Sequence, residues 1–509
     1  MLLKAGAFSL VLLLASRLLG LGRESAQAAA FGTSGMADVA VLMLTLPDWL
    51  AGLLASGALA YVLLPHWATQ NGAAQAATQR TVARVLLLTG TALGLSIWLA
   101  RAPVVALLAS GLPVALQPLA EQSLGWSALA LPAALLAALW STRLQHVRDF
   151  TGLYGANLVV NGVLVFALLL IAIKYDLTLG LTFLGINLLL AMGLRLFWLR
   201  WRQRRVVAIV EALPAPVVRG NQVTQSAAHL PAAQVWLWAT LSAGLPLTLP
   251  FAARSLASQG GEGALATFNY AWKLVELPLV LAIQLVATLT FPAITRAFVQ
   301  DSGGEDVTEP SGAQSAQVVR GAFALAWTLA CAAAAGLLLG APAVTQLLFG
   351  WGRMTPEALE RVAAWGAVGA WGLLPQALIA VALTVLATQS RMRWAAGAYA
   401  LALVVLLAAS GWAGGDGLRL MALLNTVLTG VALCCLLVLG APVRHWLPGR
   451  LMAITGGALV VLAGIKATCW LGWVAGQGAI ALGLAVAAAL AMVALGWLAG
   501  PDLRQALRR

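Results

Sequence analysis

The stretch 16-SRLLGLGRESAQAAAFGTSGMADVAVLMLTLPDWLAGLLASGALAYVLLP-65 sets Arg17, Arg23 and Asp38 at the edges of two apolar helices. It then places Pro47 and Asp48 well inside the second helix. Charges and helix breakers at membrane depth are costly unless they face protein or a wet cavity, so they mark a pathway. The stretch therefore reads as one wall of such a pathway.

The surrounding chain supports a membrane setting. It has 509 residues, of which 61% are hydrophobic and 9% charged, and its mean hydropathy is +0.91. A soluble core of this length carries about a quarter charged residues. Runs long and apolar enough for membrane helices recur from end to end, and no hydrophilic block is long enough for a separate soluble domain. The net charge of +13 would suggest nucleic acid in a soluble protein. Here basic residues on the cytoplasmic side explain it, and no nucleic-acid partner is expected.

Cys331, Cys434, Cys435 and Cys469 all fall in apolar segments with no CxxC spacing, which points to inert thiols rather than metal or disulfides. His66, His146, His229 and His445 are widely separated at helix ends or loops, so a histidine-based catalytic centre is not expected. Lys4, the apolar run to Leu14 and a later AQA imitate a signal peptide. Arg17, Arg23 and Glu24 interrupt that pattern, and we expect an uncleaved first helix.

Apolar segments lie near 3–20, 37–64, 82–108, 124–145, 152–173, 177–200, 232–254, 266–296, 318–349, 358–388, 393–412, 418–440, 451–474 and 477–499. These predict an all-α polytopic protein with about fourteen transmembrane helices. With both termini inside, 20 of the 30 basic residues fall at cytoplasmic ends, Arg195, Arg200, Arg202, Arg204 and Arg205 among them. The expected domains are an N-terminal lobe of helices 1–6 (1–205), a cytoplasmic linker (206–231), a C-terminal lobe of helices 7–12 (232–442), and helices 13 and 14 (443–509). A polar, acidic loop follows helix 8 near 299–317. Prolines six helices apart (Pro47 and Pro278, Pro132 and Pro375) suggest two six-helix lobes related by a pseudo-twofold along the membrane normal.

Few ionisable groups lie deep in the apolar spans: Asp48 in helix 2, and Lys273 and Glu276 in helix 8. Lys273 and Glu276 are three residues apart, so they share a face and can pair. Two readings stand: a self-neutralising pair that fixes helix 8, or a cationic cavity wall with Glu276 steadying the lysine. Arg17 and Arg23 are six apart and point to different faces of a continuous helix, while a break at Gly20–Gly22 would bring them together. They read either as snorkelling cations or as anion ligands. Asp38 suits a helix N-terminus electrostatically.

These residues resemble the MurJ/MviN family of lipid II flippases, in the multidrug/oligosaccharidyl-lipid/polysaccharide exporter superfamily. The matching residues are Ser16-Arg17, Gly20, Arg23, Phe31-Gly32, Asp38, Leu46-Pro47, Gly57-Ala58 and Pro65, then Tyr270-Ala271, Lys273, Glu276, Pro278, Pro292 and Arg296. Leu348-Phe349, Gly352, Gly372-Leu373 and Pro375 continue the match. The resemblance implies transport of an undecaprenyl-pyrophosphate-linked peptidoglycan precursor to the outer leaflet by alternating access, in the service of cell-wall synthesis and cell shape. It implies a bacterial inner-membrane protein, not an enzyme, whose helices 13 and 14 form a lipid-tail groove. By position, Arg17, Arg23 and Lys273 would contact pyrophosphate or sugar, and Asp38 and Glu276 would be the associated acids. No cofactor or metal is expected; membrane potential or a proton gradient would drive transport. Membrane lipids and the lipid-linked oligosaccharide are the expected partners of a monomer.

This chain departs from the family where Ala51-Gly52 stand in place of two basic residues, Ser56 in place of an acid, and Lys273 in place of arginine. Helix 7 has no acidic residue for a sodium site. The alternatives are a flippase for another polyprenyl-linked oligosaccharide (O-antigen or exopolysaccharide), a drug exporter, or a membrane glycosyltransferase. The last would need external carboxylates for acid/base work, and none of the outer-loop acids forms a motif.

Overall fold

The computed structural model describes residues 2–174, 176–212, 230–303, 313–468 and 478–508. Most of the expected linker, the middle of the 299–317 loop, Cys469 and the end of expected helix 13 lie outside the described residues. Those described form helices and turns without strands. Among them, twelve helical rods are long and apolar enough to cross a membrane, so the chain is a multi-pass helical membrane protein. The other two expected spans, the first and the eighth, are helical as well. They are the two that carry Arg17 with Arg23 and Lys273 with Glu276.

Contacts group the chain into two compact units. The first contains α1 (Leu2–Phe31), α2 (Gly35–Leu53), a π-helical turn (Leu54–Leu59), α3 (Ala60–Ala68), α4 (Gly72–Leu99), α5 (Arg101–Leu108), α6 (Gln117–His146), α7 (Phe150–Lys174) and α8 (Leu177–Ala212). It also takes α9 (Ala233–Ala257) as far as Phe251, with the short segments Gly261–Ala266 and Gly352–Met354. Helix α1 is continuous, so the break considered at Gly20–Gly22 does not occur. Gly20 instead lies against Asn161 of α7, whose Nδ2 would be 3.6 Å from an added Cβ.

Proline chemistry explains how α2 and α6 are held. Proline has no N–H, so Pro47 leaves the Met43 carbonyl without its helical donor. The Ser127 hydroxyl of α6 donates to that carbonyl at 2.6 Å in a buried setting. Pro132 likewise frees the Ala128 carbonyl of α6. Gly94 of α4 packs against it, and a Cβ there would stand only 2.6 Å from the oxygen. Further along the α2 rod, an added Cβ on Gly57 would sit 2.0 Å from Ala243 Cβ of α9, which fixes small residues at both positions.

The second unit contains the rest of α9, α10 (Ala264–Pro278) from Thr267, a π-helical turn (Leu279–Ile283), α11 (Gln284–Gly303), α12 (Ala313–Phe349), α13 (Pro356–Gly369), α14 (Leu373–Thr388), α15 (Met392–Ala413) and α16 (Gly417–Leu439). It continues through α17 (Val443–Trp446), α18 (Gly449–Ala467), α19 (Gly478–Ala499) and α20 (Pro501–Arg508). Here Pro342 frees the Leu338 carbonyl of α12, and Lys466 Nζ of α18 donates to it. A buried cluster of Ala324, Trp327, Cys331, Leu451 and Leu503 joins α12, α18 and α20. The Trp327 indole donates to Thr455 at 3.0 Å within it. Asp502 ties α20 to Arg320 of α12 at 2.9 Å.

The two units repeat local devices. Each has a π-helical turn downstream of a Leu-Pro pair. Each also closes a helix through a non-glycine residue in the left-handed region: Arg148 at φ 59 after α6, and Ser390 at φ 57 after α14. In both, the next residue's amide returns to a carbonyl five residues back, Asp149 to Leu144 and Arg391 to Leu386, each at 2.8 Å.

Candidate functional site

Two charged sites of the first unit hold residues singled out in the sequence. At the N-terminal end of α2, Asp38 is 2% exposed. Its Oδ2 accepts from the Gly263 amide and its Oδ1 from the Ala266 amide, each at 2.7 Å. Asp38 thus caps the start of α10 rather than its own helix. The favour is returned, because Glu262 Oε1 accepts from the Gly35 amide at 2.9 Å, at the start of α2. Orphan amides of two helices are satisfied by each other's flank, and the helix-terminal charge favours both carboxylates. Gly263, at φ 77, makes the approach feasible, since a Cβ there would fall 1.7 Å from the Thr33 oxygen.

The second site lies along α1, α2, α7 and α8. Arg23 Nη1 donates to Asp48 Oδ2 at 2.7 Å and Nη2 to Glu24 Oε1 at 2.9 Å. Its side chain is 12% exposed, that of Glu24 6% and that of Asp48 40%. Arg195 of α8 is within electrostatic reach of Asp48, and its Nη2 donates to Asn157 of α7 at 3.3 Å. The sequence places Arg195 among the inner-rim cations. The structure places it within the helical rod 177–206, with its Nη2 on Asn157 of the neighbouring helix. Gln27, one turn beyond Arg23 on α1, is buried. The Nε atoms of Arg23 and Arg195 and the Gln27 amide nitrogen are buried with no hydrogen-bond partner. Arg17 is exposed on α1 and lies within electrostatic reach of Tyr154 of α7.

The Ala51-Gly52 pair has a packing explanation. Ala51 is 8% exposed. A Cβ at Gly52 would touch Leu247 of α9 at 3.4 Å, and the Leu53 side chain fills the space beside Gly244. Trp49 stacks on Phe251 of α9 with centroids 4.8 Å apart. Long basic side chains at 51 and 52 would have to displace this contact.

In the second unit, Lys273 Nζ and Glu276 Oε2 form an ion pair at 2.8 Å, and their side chains are 22% and 34% exposed. The i,i+3 spacing closes as the helix geometry requires. The pair sits one turn before Pro278 and the π-helical turn that follows it. Tyr270 on the same helix is fully buried and packs on Phe349 with centroids 5.2 Å apart. Arg17, Arg23 and Asp38 belong to the first unit, Lys273 and Glu276 to the second.

Sequence reasoning missed Arg195, Asn157 and Gln27. An arginine five residues before the Arg200–Arg205 cluster reads as part of it, and a partner 38 residues away in sequence gives no local signal. It also missed the role of Glu262, whose only sequence cue is its place just ahead of Gly263 and α10.

Paired charges held in proline-bearing helices place an ionisable site inside a polytopic helical membrane protein. The solved structure "Lipid II flippase MurJ, inward closed conformation" covers 97% of this chain and 99% of its own at TM-score 0.76 and 14% identity. An inward-facing multidrug-resistance MATE transporter of the MOP superfamily gives TM-score 0.60 at 14% identity, over 89% of this chain and 96% of its own. A MOP transporter from Pyrococcus furiosus, described as having reversed binding-pocket polarity, gives 0.51 at 15% identity, over 89% and 93%. No curated protein matches the sequence. The family model for lipid II flippase MurJ matches residues 27–496, and the chain belongs to that family.

Proposed function

We propose that this chain carries undecaprenyl-pyrophosphate-linked peptidoglycan precursor from the inner to the outer leaflet of the bacterial inner membrane, as a transporter and not an enzyme. The observation that carries this reading is the family match over residues 27–496, joined to a guanidinium, Arg23, held nearly buried in a membrane helix. Arg17 and Arg23, with Lys273 steadied by Glu276, contact the pyrophosphate or first sugar. Asp38 is a positioning residue that fixes the start of α10.

The halves 1–205 and 232–442 alternate access, with both termini in the cytoplasm, and the helices of 443–509 hold the lipid tail. A doubly charged headgroup moving outward leaves the negative interior, so membrane potential assists by about 2.3 kcal/mol per charge per 100 mV. A proton gradient is the second candidate driving force. A different polyprenyl-linked oligosaccharide is the second reading, favoured by one observation: α9 packs where family members carry two basic residues.

The test is complementation of a lipid II flippase depletion strain, scored by the lipid-linked precursor that accumulates. Wild type is expected to restore growth and clear lipid II, while Arg17→Ala and Lys273→Ala fail. Rescue by both variants overturns the assigned contacts, and accumulation of lipid II despite stable wild-type expression overturns the cargo.

A further inference from the structure

Each Nη of Arg23 already donates to a carboxylate, Nη1 to Asp48 and Nη2 to Glu24. Bidentate capture of a phosphate uses either Nη1 with Nη2 or Nε with one Nη, so each edge of the fork meets a carboxylate. A bidentate anion on Arg23 therefore competes with one of the two carboxylates. Asp48 is the candidate, because its side chain is 40% exposed and that of Glu24 only 6%. A carboxylate pushed off Arg23 keeps a cation nearby, since Arg195 stands on α8, which packs against the α2 that carries Asp48, and acts electrostatically on it.

The donor inventory points the same way. Two guanidinium groups and two carboxylates balance in charge. Hydrogen bonding does not balance: Arg23 Nε, Arg195 Nε and Gln27 Nε2 are buried donors without acceptors. Buried donors left unsatisfied are destabilising. An excess of them around two arginines suits a ligand made of acceptor oxygens.

We propose that Arg195 is a second phosphate-binding guanidinium of the headgroup site, and that Asp48 is an internal carboxylate which pyrophosphate displaces from Arg23. The proposal rests on Arg23 being a headgroup contact. Arg195, from α8, supplies the positive charge that Ala51-Gly52 of α2 lack in this chain. Asp48 competes with the ligand, keeps binding weak enough for release, and returns to Arg23 when the headgroup leaves. A purely structural Arg23–Asp48 pair makes the opposite prediction for loss of the carboxylate.

The test uses the full chain in phosphatidylcholine nanodiscs and calorimetric titration with inorganic pyrophosphate and, separately, farnesyl pyrophosphate. Asp48→Asn is expected to tighten binding about tenfold, and Arg195→Gln to weaken it about tenfold. Arg195→Lys, which keeps the charge and loses the fork, falls between wild type and Arg195→Gln. Weaker or unchanged binding in Asp48→Asn, or unchanged binding in Arg195→Gln, overturns the proposal. If Arg195→Gln does not fold, the direction of change in Asp48→Asn and Arg195→Lys decides. The same order with both probes places recognition in the pyrophosphate; an order seen only with the farnesyl compound overturns it. Binding lost in Arg23→Gln but untouched in Arg195→Gln defeats this inference alone. No binding by wild type defeats the headgroup reading beneath it.

Discussion

Replacing Asp38 by alanine removes both acceptors at the crossed caps of α2 and α10. Two buried amides, of Gly263 and Ala266, lose bonds of 2.7 Å to a carboxyl oxygen. Each such amide left unsatisfied costs about 1–3 kcal/mol, so Asp38→Ala is expected to lose about 2–6 kcal/mol of stability. Asp38→Asn keeps one carbonyl oxygen and is expected to lose about half as much. The assay is the unfolding free energy of purified protein titrated from mild detergent into SDS, read by circular dichroism. A loss below about 1 kcal/mol in Asp38→Ala would refute the capping role. A direct headgroup role predicts a different pattern, in which Asp38→Asn keeps full stability yet loses transport. Measuring stability and complementation on the same two variants separates the two.

Two further outcomes test how the helices are held. Ser127→Ala strands the Met43 carbonyl and is expected to cost about 1 kcal/mol; in a Pro47→Ala background, which restores a backbone donor to that carbonyl, the cost should vanish in a double-mutant cycle. Gly57→Ala drives a methyl into Ala243 and is expected to lose about 1–3 kcal/mol, with Ala243→Gly recovering most of it when the two are combined.

Legibility in the sequence follows the range of the physics. Apolar runs report burial of a local segment, so the helices appear at their expected places, and the Lys273–Glu276 pair closes at the spacing that predicts it. Some residues read in the sequence only as points of family resemblance acquire a steric reason in the structure. Gly32 and Gly352 adopt φ 64 and φ 69, and Tyr270 meets Phe349. What stayed hidden depends on partners distant in sequence. The first helix extends past its apolar run to Phe31, and Arg23 within it pairs with Asp48, 25 residues on. Asp38 finds its partners 225 and 228 residues away. The contact of Arg195 with Asn157 is hidden because the partner stands on another helix, 38 residues away.

The carbonyls freed by Pro47 and Pro342 have a mechanical consequence. A helix that surrenders one internal bond gains a soft joint, but here the loose oxygen is fastened to a neighbour: to Ser127 of α6 in one unit, and to Lys466 of α18 in the other. Such a joint behaves less like a free elbow than like a geared one. Bending of α2 drags on α6, and bending of α12 drags on α18. Flexure is therefore shared by pairs of helices, and a single hydroxyl or ammonium sets the gear ratio.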